Sequence, residues 1–265
     1  MPELPEVFVV SKFLKKEAKG QTIEDIVVRY SKMMDESMRK KLIGQTINDI
    51  ETHGKYLIFK LTDYDLISHL RMEGKYYVSD PDVINKHDHV IFYLTDKVLK
   101  YNDVRKFGTF DLREKSQTYK IPPLSKLAKE PFEIDLDTFY AAIKKRRSPI
   151  KTILLNQGII AGIGNIYADE ILFQAKIHPL KIANTLTKKQ AQTIIASSID
   201  ILTRAIKKGG TTIFSFKSDE EVGWFTQDLM VHTKANEPCK ICQTKIGKIK
   251  VNGRSTYFCS HCQRM

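Results

Sequence analysis

Cysteine is absent from the first 238 residues of this 265-residue chain; all four cysteines fall between Cys239 and Cys262. No disulfide framework can therefore hold the body of the protein, which must rest on an ordinary apolar core. No apolar run approaches the length of a membrane-spanning helix, and no signal-peptide pattern is present. Both absences point to a soluble, cytoplasmic protein. Internal repeats and low-complexity tracts are missing too, which excludes solenoids and disordered linkers. Acidic residues are in deficit: 31 Asp+Glu face 43 Lys+Arg, for a net charge of +12. That imbalance suggests a polyanionic partner. It is uneven, since residues 231–265 carry seven Lys/Arg against Glu237 alone, half of the surplus.

What is present begins at the second residue. Removal of Met1 from Met1-Pro2-Glu3-Leu4-Pro5-Glu6 exposes a secondary amine that can attack a sugar carbon and form an iminium. Apolar Val7, Val10, Phe13 and Leu14 follow at helical spacing up to Gly20. The amine is thus expected at a helix N-terminus, where the dipole disfavours its protonated form. Glu3 and Glu6 are close enough to handle protons. A frayed, capped chain start is the alternative for these six residues taken alone.

Residues 21–112 read as short strands at 23–28, 56–59, 66–70, 89–94 and 98–101, separated by polar turns. A β-sandwich or barrel with the N-terminal helix packed on it follows. Ile121-Pro122-Pro123 and Glu130-Pro131 mark a linker. Beyond it the period is helical. Phe139, Ala142 and Ile143 form one stripe, and Ser148-Pro149 reads as N-cap and first turn of a helix over 150–156. A long amphipathic helix runs from Thr187 to Gly209-Gly210. The expected class is α+β, with a sandwich at 1–130, a helical segment at 131–220 and a cysteine-bearing segment at 221–265.

Cys239-x2-Cys242-x16-Cys259-x2-Cys262 has the spacing of a four-cysteine site for one structural Zn2+. Two disulfides or free thiols are the alternatives, and a cytosolic setting argues against disulfides. Between the pairs, Asn252-Gly253 is the turn of a hairpin that projects Arg254; an exposed arginine without a role remains open. Gly162-Ile163-Gly164-Asn165 lies between two helical stretches, with Asn165 as N-cap of the second, a phosphate site or simply a turn. Met72, Arg105 and Phe107 fall at strand connections. They suit a wedge entering a base stack, or ordinary packing at loop ends.

Together these stretches resemble one family across the whole chain and in its order. They are Pro2–Val7, Gly54–Leu57, His69–Gly74, Arg105–Gly108, Ala161–Glu170 and the cysteine quartet with Gly253-Arg254. The family is bacterial formamidopyrimidine-DNA glycosylase. The resemblance implies a helix-supported β-sandwich, a helix–two-turn–helix segment and a zinc finger. It implies a monomeric base-excision-repair enzyme acting on damaged double-stranded DNA, cytoplasmic and associated with the nucleoid in use. Its expected activity is that of a bifunctional glycosylase and abasic-site lyase removing oxidised purines. Carried over, Pro2 is the nucleophile and Glu3 the acid that opens the sugar. Lys55 contacts a phosphate beside the lesion and assists proton transfer, completing with Arg254 the catalytic set. His69, Asn165 and Arg254 clamp phosphates. Met72, Arg105 and Phe107 fill the vacated space, Glu6 lies near the damaged base, and Lys151 lies near the DNA.

Two departures from the family stand out. Ile213-Phe214-Ser215-Phe216 lacks an arginine usual after Gly209-Gly210-Thr211-Thr212, and Val231-His232-Thr233-Lys234 replaces Val-Tyr-Gly-Arg. The first bears on substrate preference; the second removes a phosphate contact that His232 could supply instead. Leu4 argues against the sister family that removes oxidised pyrimidines, endonuclease VIII, which starts Pro-Glu-Gly-Pro-Glu. A catalytically silent zinc-finger protein that only detects damage and an RNA-binding zinc ribbon are the rival classes.

Overall fold

The computed structural model describes residues 1–211 and 223–265, which form two compact units. The first comprises Met1–Ser125 with Thr211–Gly223, and the second Lys126–Gly210 with Trp224–Met265. The helical and zinc-finger segments thus share one unit.

In the first unit, helix α1 (Leu4–Ala18) is followed by β1 (Ile23–Val28), α2 (Glu36–Leu42), β2 (Ile47–His53), β3 (Tyr56–Leu61) and β4 (Tyr64–His69). Then come β5 (Lys75–Val78), β6 (Asp88–Leu94), β7 (Val98–Asn102) and β8 (Thr109–Glu114). Two antiparallel sheets result, ordered β1-β6-β7-β5 and β2-β3-β4-β8. Leu57, Phe59, Leu61 and Leu66 from one sheet share a core with Ile26, Val90, Phe92 and Leu99 from the other, and Val7, Val10 and Leu14 of α1 complete it. The helix stripe read from the sequence is therefore the one that is buried. An aromatic column crosses the sandwich: Phe59–Tyr76, Tyr76–Tyr101, Tyr101–Phe110 and Phe92–Phe110, with centroids 5.0–6.2 Å apart.

All five expected strands form. β2, β5 and β8 were not among them. In β2 the register shifts between Ile47 and Asp49, so Ile47 and Ile50, three apart, are both buried. A bulge breaks the two-residue period that marks a strand. β8 carries Asp111 and Arg113, paired to each other, among its apolar residues.

The second unit contains α3 (Leu136–Lys144), α4 (Ile150–Leu154), α5 (Asn165–Gln174), α6 (Lys188–Lys207), β9 (Gly247–Val251) and β10 (Arg254–Phe258). Phe139, Ile143, Ile153, Tyr167, Ile171, Ile194 and Leu202 make its main core. Helix α6 starts as expected, with a capping box in which Thr187 and Gln190 exchange side-chain-to-backbone hydrogen bonds of 3.2 and 3.0 Å. Two caps differ by one residue from expectation. Pro149, not Ser148, is the N-cap of α4, and Gly164, not Asn165, caps α5. Asn165 is the first helical residue, which leaves its side chain to work elsewhere. Among the described residues no helix is long and apolar enough to cross a membrane.

Candidate active site and nucleic-acid interface

Glu3 is the N-cap of α1, Pro5 lies in its first turn, and Glu3 with Glu6 forms a capping box. Pro is suited to this position because first-turn N–H groups have no helical partner. Pro2 is buried at the entry to the helix, and Met1 is exposed. Glu6 is buried as well, and its carboxylate is engaged at both oxygens. Oε2 accepts from the Glu3 N–H at 2.9 Å, and Oε1 accepts from the Thr211 N–H and hydroxyl at 2.9 and 3.1 Å. Glu6 thus ties the helix start to a residue 205 positions away. The residues that follow, 212–222, include the stretch lacking the usual arginine and lie outside the described part of the chain.

Lys55 and His69 come from adjacent strands. Gly54 has φ +60° and takes the first position of the two-residue turn between β2 and β3. That places Lys55 next to Tyr56, the cross-strand partner of His69. The His69 ring meets Tyr56 edge-on at 4.5 Å, and its Nδ1 accepts the Arg71 N–H at 2.9 Å. With Nδ1 an acceptor, the proton sits on Nε2, which is left as a donor. Burial, reinforced by the charges of Arg71 and Lys55, pushes the His69 pKa down to about 3. The imidazole is therefore neutral at physiological pH, a donor without charge.

The expected wedge residues occupy two turns. Leu70–Gly74 closes through a Gly74 N–H to Leu70 carbonyl bond of 3.0 Å and leaves Met72 39% exposed. The second turn is built by Asp103, fully buried, whose carboxylate accepts the Arg105 and Gly108 N–H groups at 3.0 and 2.8 Å. It presents Phe107, 52% exposed, with the Arg105 guanidinium 4.9 Å from its ring centre. Both apolar side chains stand in solvent, so neither is ordinary core.

In the second unit, the β9–β10 hairpin turns at Asn252-Gly253, with φ +48° and +76°, and Arg254 is exposed at the start of the returning strand. Asn165 Nδ2 donates to the Ser255 carbonyl at 3.0 Å, so the first turn of α5 grips the hairpin next to Arg254. Lys151 grips the same place from α4. Its Nζ lies 2.7 Å from Asp169 Oδ1, 2.8 Å from Thr256 Oγ1 and 3.1 Å from the Ser255 carbonyl. Lys151, expected near the DNA, is 0% exposed, and these three contacts hold it inside the protein. His232 is drawn to the same carboxylate: its Nδ1 is 2.8 Å from Asp169 Oδ2, and its ring packs edge-on against Tyr257. Neighbouring Glu170 accepts the N–H groups of Met230, Val231 and His232 at 2.8–2.9 Å. Burial raises its pKa, against the pull of those donors. The Asp169-Glu170 step was quoted from the sequence without a role; the structure makes it the mount of the zinc module.

The four cysteine sulfurs lie within 4.8 Å of one another, with Cys242–Cys259, Cys242–Cys262 and Cys239–Cys262 at 3.4, 3.5 and 3.9 Å. Four sulfurs about 2.3 Å from a tetrahedral zinc stand about 3.8 Å apart, so the donors fit the ion. They are too far apart for disulfides. Phe173, Val231 and Ile246 pack around Cys239 and Cys259. Hydrogen bonds from Thr244 draw the Cys242 thiol down to about 6, whereas burial pushes Cys259 and Cys262 up.

Residues 1–110 match the family model described as the formamidopyrimidine-DNA glycosylase N-terminal domain, 127–217 its H2TH domain, and 236–264 the zinc finger found in FPG and IleRS. Among relatives, the formamidopyrimidine-DNA glycosylase of Exiguobacterium sibiricum is 44% identical, covering 100% of this chain and 99% of that protein. The one from Mycoplasma mobile is 45% identical over the full length of both. The chain belongs to the formamidopyrimidine-DNA glycosylase family. Among solved structures, a mutant Lactococcus lactis FPG in complex with Fapy-dG-containing DNA superposes with a TM-score of 0.95 at 42% identity, covering 100% of each chain. The same enzyme bound to abasic-site DNA gives 0.93, covering 99% of this chain and 100% of that one.

Three outcomes follow for this glycosylase-family chain. Between pH about 6.5 and about 3 the unfolded chain binds a proton at His69 that the folded one does not. Folding should therefore weaken on acidification through that window, and the slope should be smaller in His69→Gln, read by urea unfolding at pH 7 and 4.5. Lys151→Ala leaves buried Asp169 without its cation, beside only His232 and the Tyr257 N–H, and should cost about 3–5 kcal/mol in chemical denaturation, with lower affinity for intact and damaged DNA alike. Cys239→Ser should lose the zinc, measured by metal analysis, and with it most DNA affinity, because the hairpin loses its support.

Proposed function

We propose that this chain is a bifunctional DNA glycosylase and abasic-site lyase that removes oxidised purines, 8-oxoguanine and formamidopyrimidines, from duplex DNA. The observation that carries this reading is the full-length likeness to an enzyme bound to Fapy-dG DNA, in a chain that keeps Pro2 and Glu3 together at the start of a buried helix. With Met1 removed, the Pro2 nitrogen attacks C1′ of the damaged nucleotide. The bond to the base breaks, the base leaves with a proton, and Glu3 protonates the ring oxygen as the sugar opens to an iminium. β-Elimination then releases the 3′ phosphate oxygen and δ-elimination the 5′ one. Both take protons that adjacent carboxylates can receive.

Lys55, His69, Asn165 and Arg254 serve as phosphate contacts beside this chemistry, Lys55 also assisting proton transfer. His69 does so as a neutral Nε2–H donor, a reading its two neighbouring cations support. Met72, Arg105 and Phe107 fill the gap left by the extruded nucleotide, and their exposure on structured turns supports this. Glu6 lies by the lesion through its hold on Thr211, and bound zinc stiffens the hairpin that offers Arg254. On this reading 1–130 carries the chemistry, while 131–220 and 221–265 hold the DNA.

The amine is the decisive element. Borohydride should trap the processed protein on 8-oxoguanine DNA, whereas Pro2→Gly, or one extra residue ahead of Pro2, should lose trapping and strand cleavage while still binding an abasic analogue. Full cleavage by protein that retains Met1 would overturn the assignment.

A further inference from the structure

The turns carrying Met72 and Phe107 end in Gly74 and Gly108, and one atom occupies the space beside both glycines: the hydroxyl of Tyr101. A Cβ placed on either glycine would overlap that oxygen, and the ring carbon bearing it would crowd each Cβ as well. The glycines are thus not there for backbone freedom, since neither has a positive φ. They make room for a side chain.

Tyr101 cannot step aside. It lies on β7, is 0% exposed, and its ring is held between Tyr76 and Phe110, each with its centroid 5.0 Å away. Tyr76 is itself fixed by a 2.7 Å hydrogen bond to Ser68, next to His69. The ring is a rigid strut, rooted in the sandwich, whose tip bears on two turns at once. The hydroxyl earns nothing for stability that the structure shows, because among the described residues it has no hydrogen-bond partner. Burying a hydroxyl unpaired is unfavourable, and phenylalanine in its place would avoid that cost. Burial, with Tyr76 and Asp103 nearby, raises its pKa, so it stays a neutral phenol.

The geometry points to Tyr101 as a positioning residue for base extrusion, its hydroxyl setting the spacing of the Met72 turn against the Arg105–Phe107 turn. It touches no DNA, being wholly enclosed, and acts only through Gly74 and Gly108. The inference rests on the wedge reading of Met72 and Phe107. Misplacement of such groups by a fraction of an ångström is enough to slow a step that depends on their fit.

The test compares Tyr101→Phe and Met72→Ala with the parent in the full-length, zinc-loaded protein. Single-turnover excision is measured on 8-oxoguanine paired with cytosine, and cleavage on a preformed abasic site. 2-Aminopurine beside the lesion reports unstacking, and thermal unfolding reports the fold. Tyr101→Phe should slow excision about ten-fold and diminish the 2-aminopurine signal, with abasic cleavage within about two-fold and a thermal midpoint equal or higher. Unchanged excision by Tyr101→Phe, with Met72→Ala selectively slow on the lesion, would overturn the positioning role and leave the wedge standing. Equal losses on both substrates in Met72→Ala would remove the wedge reading, and the role of Tyr101 with it.

Discussion

An ammonium and a carboxylate, both fully removed from water, meet at 2.7 Å where Lys151 of α4 faces Asp169 of α5. Each charge alone would be prohibitive in that place, and together they are tolerable only because every neighbour completes their hydrogen bonds. Those neighbours are the Ser255 carbonyl, the Thr256 hydroxyl, His232 and the Tyr257 N–H, at 2.8–3.2 Å. The pair therefore dictates where the hairpin lies. The hairpin in turn dictates where Arg254 stands, and zinc stiffens its base. The exposed cation of this unit is thus positioned from a charge pair that is itself fully buried.

The first unit works on a different principle. Its sandwich is apolar and aromatic, and the side chains on its turns are set by single residues: Gly54 for Lys55, Asp103 for Arg105 and Phe107. Local bonds of this kind hold a turn without a large core beneath it. Met72 and Phe107 stand exposed on these turns, 39% and 52%.

The amino-acid pattern made much of this legible, and its failures have physical causes. Four cysteines at fixed spacing declare a metal, and Thr187 with Gln190 declares a helix start, because both are local. The five apolar strands were readable from their side chains; β2 was not, because a bulge at Ile47–Asp49 turns its period from two to three. The partner of Lys151 and His232 was unreadable for the opposite reason. A basic residue in a DNA-binding chain looks like a phosphate ligand, and only the fold reveals that Asp169 claims both. Tyr101 and Asp103 gave no signal at all, since a buried tyrosine in a strand and an aspartate in a turn are commonplace. What sets them apart is what the fold brings against them, Gly74 and Gly108 included.

The link from Glu6 to Thr211 has a bearing on synthesis. Helix α1 is made before the donors that engage Glu6 Oε1, which come from a residue 205 positions later. At about 5–20 residues per second, Thr211 trails by roughly 10–40 s. Throughout that interval α1 exists without the contact that completes its surroundings. A chain that stops short of Thr211 thus has α1 but not the donors that hold Glu6 Oε1.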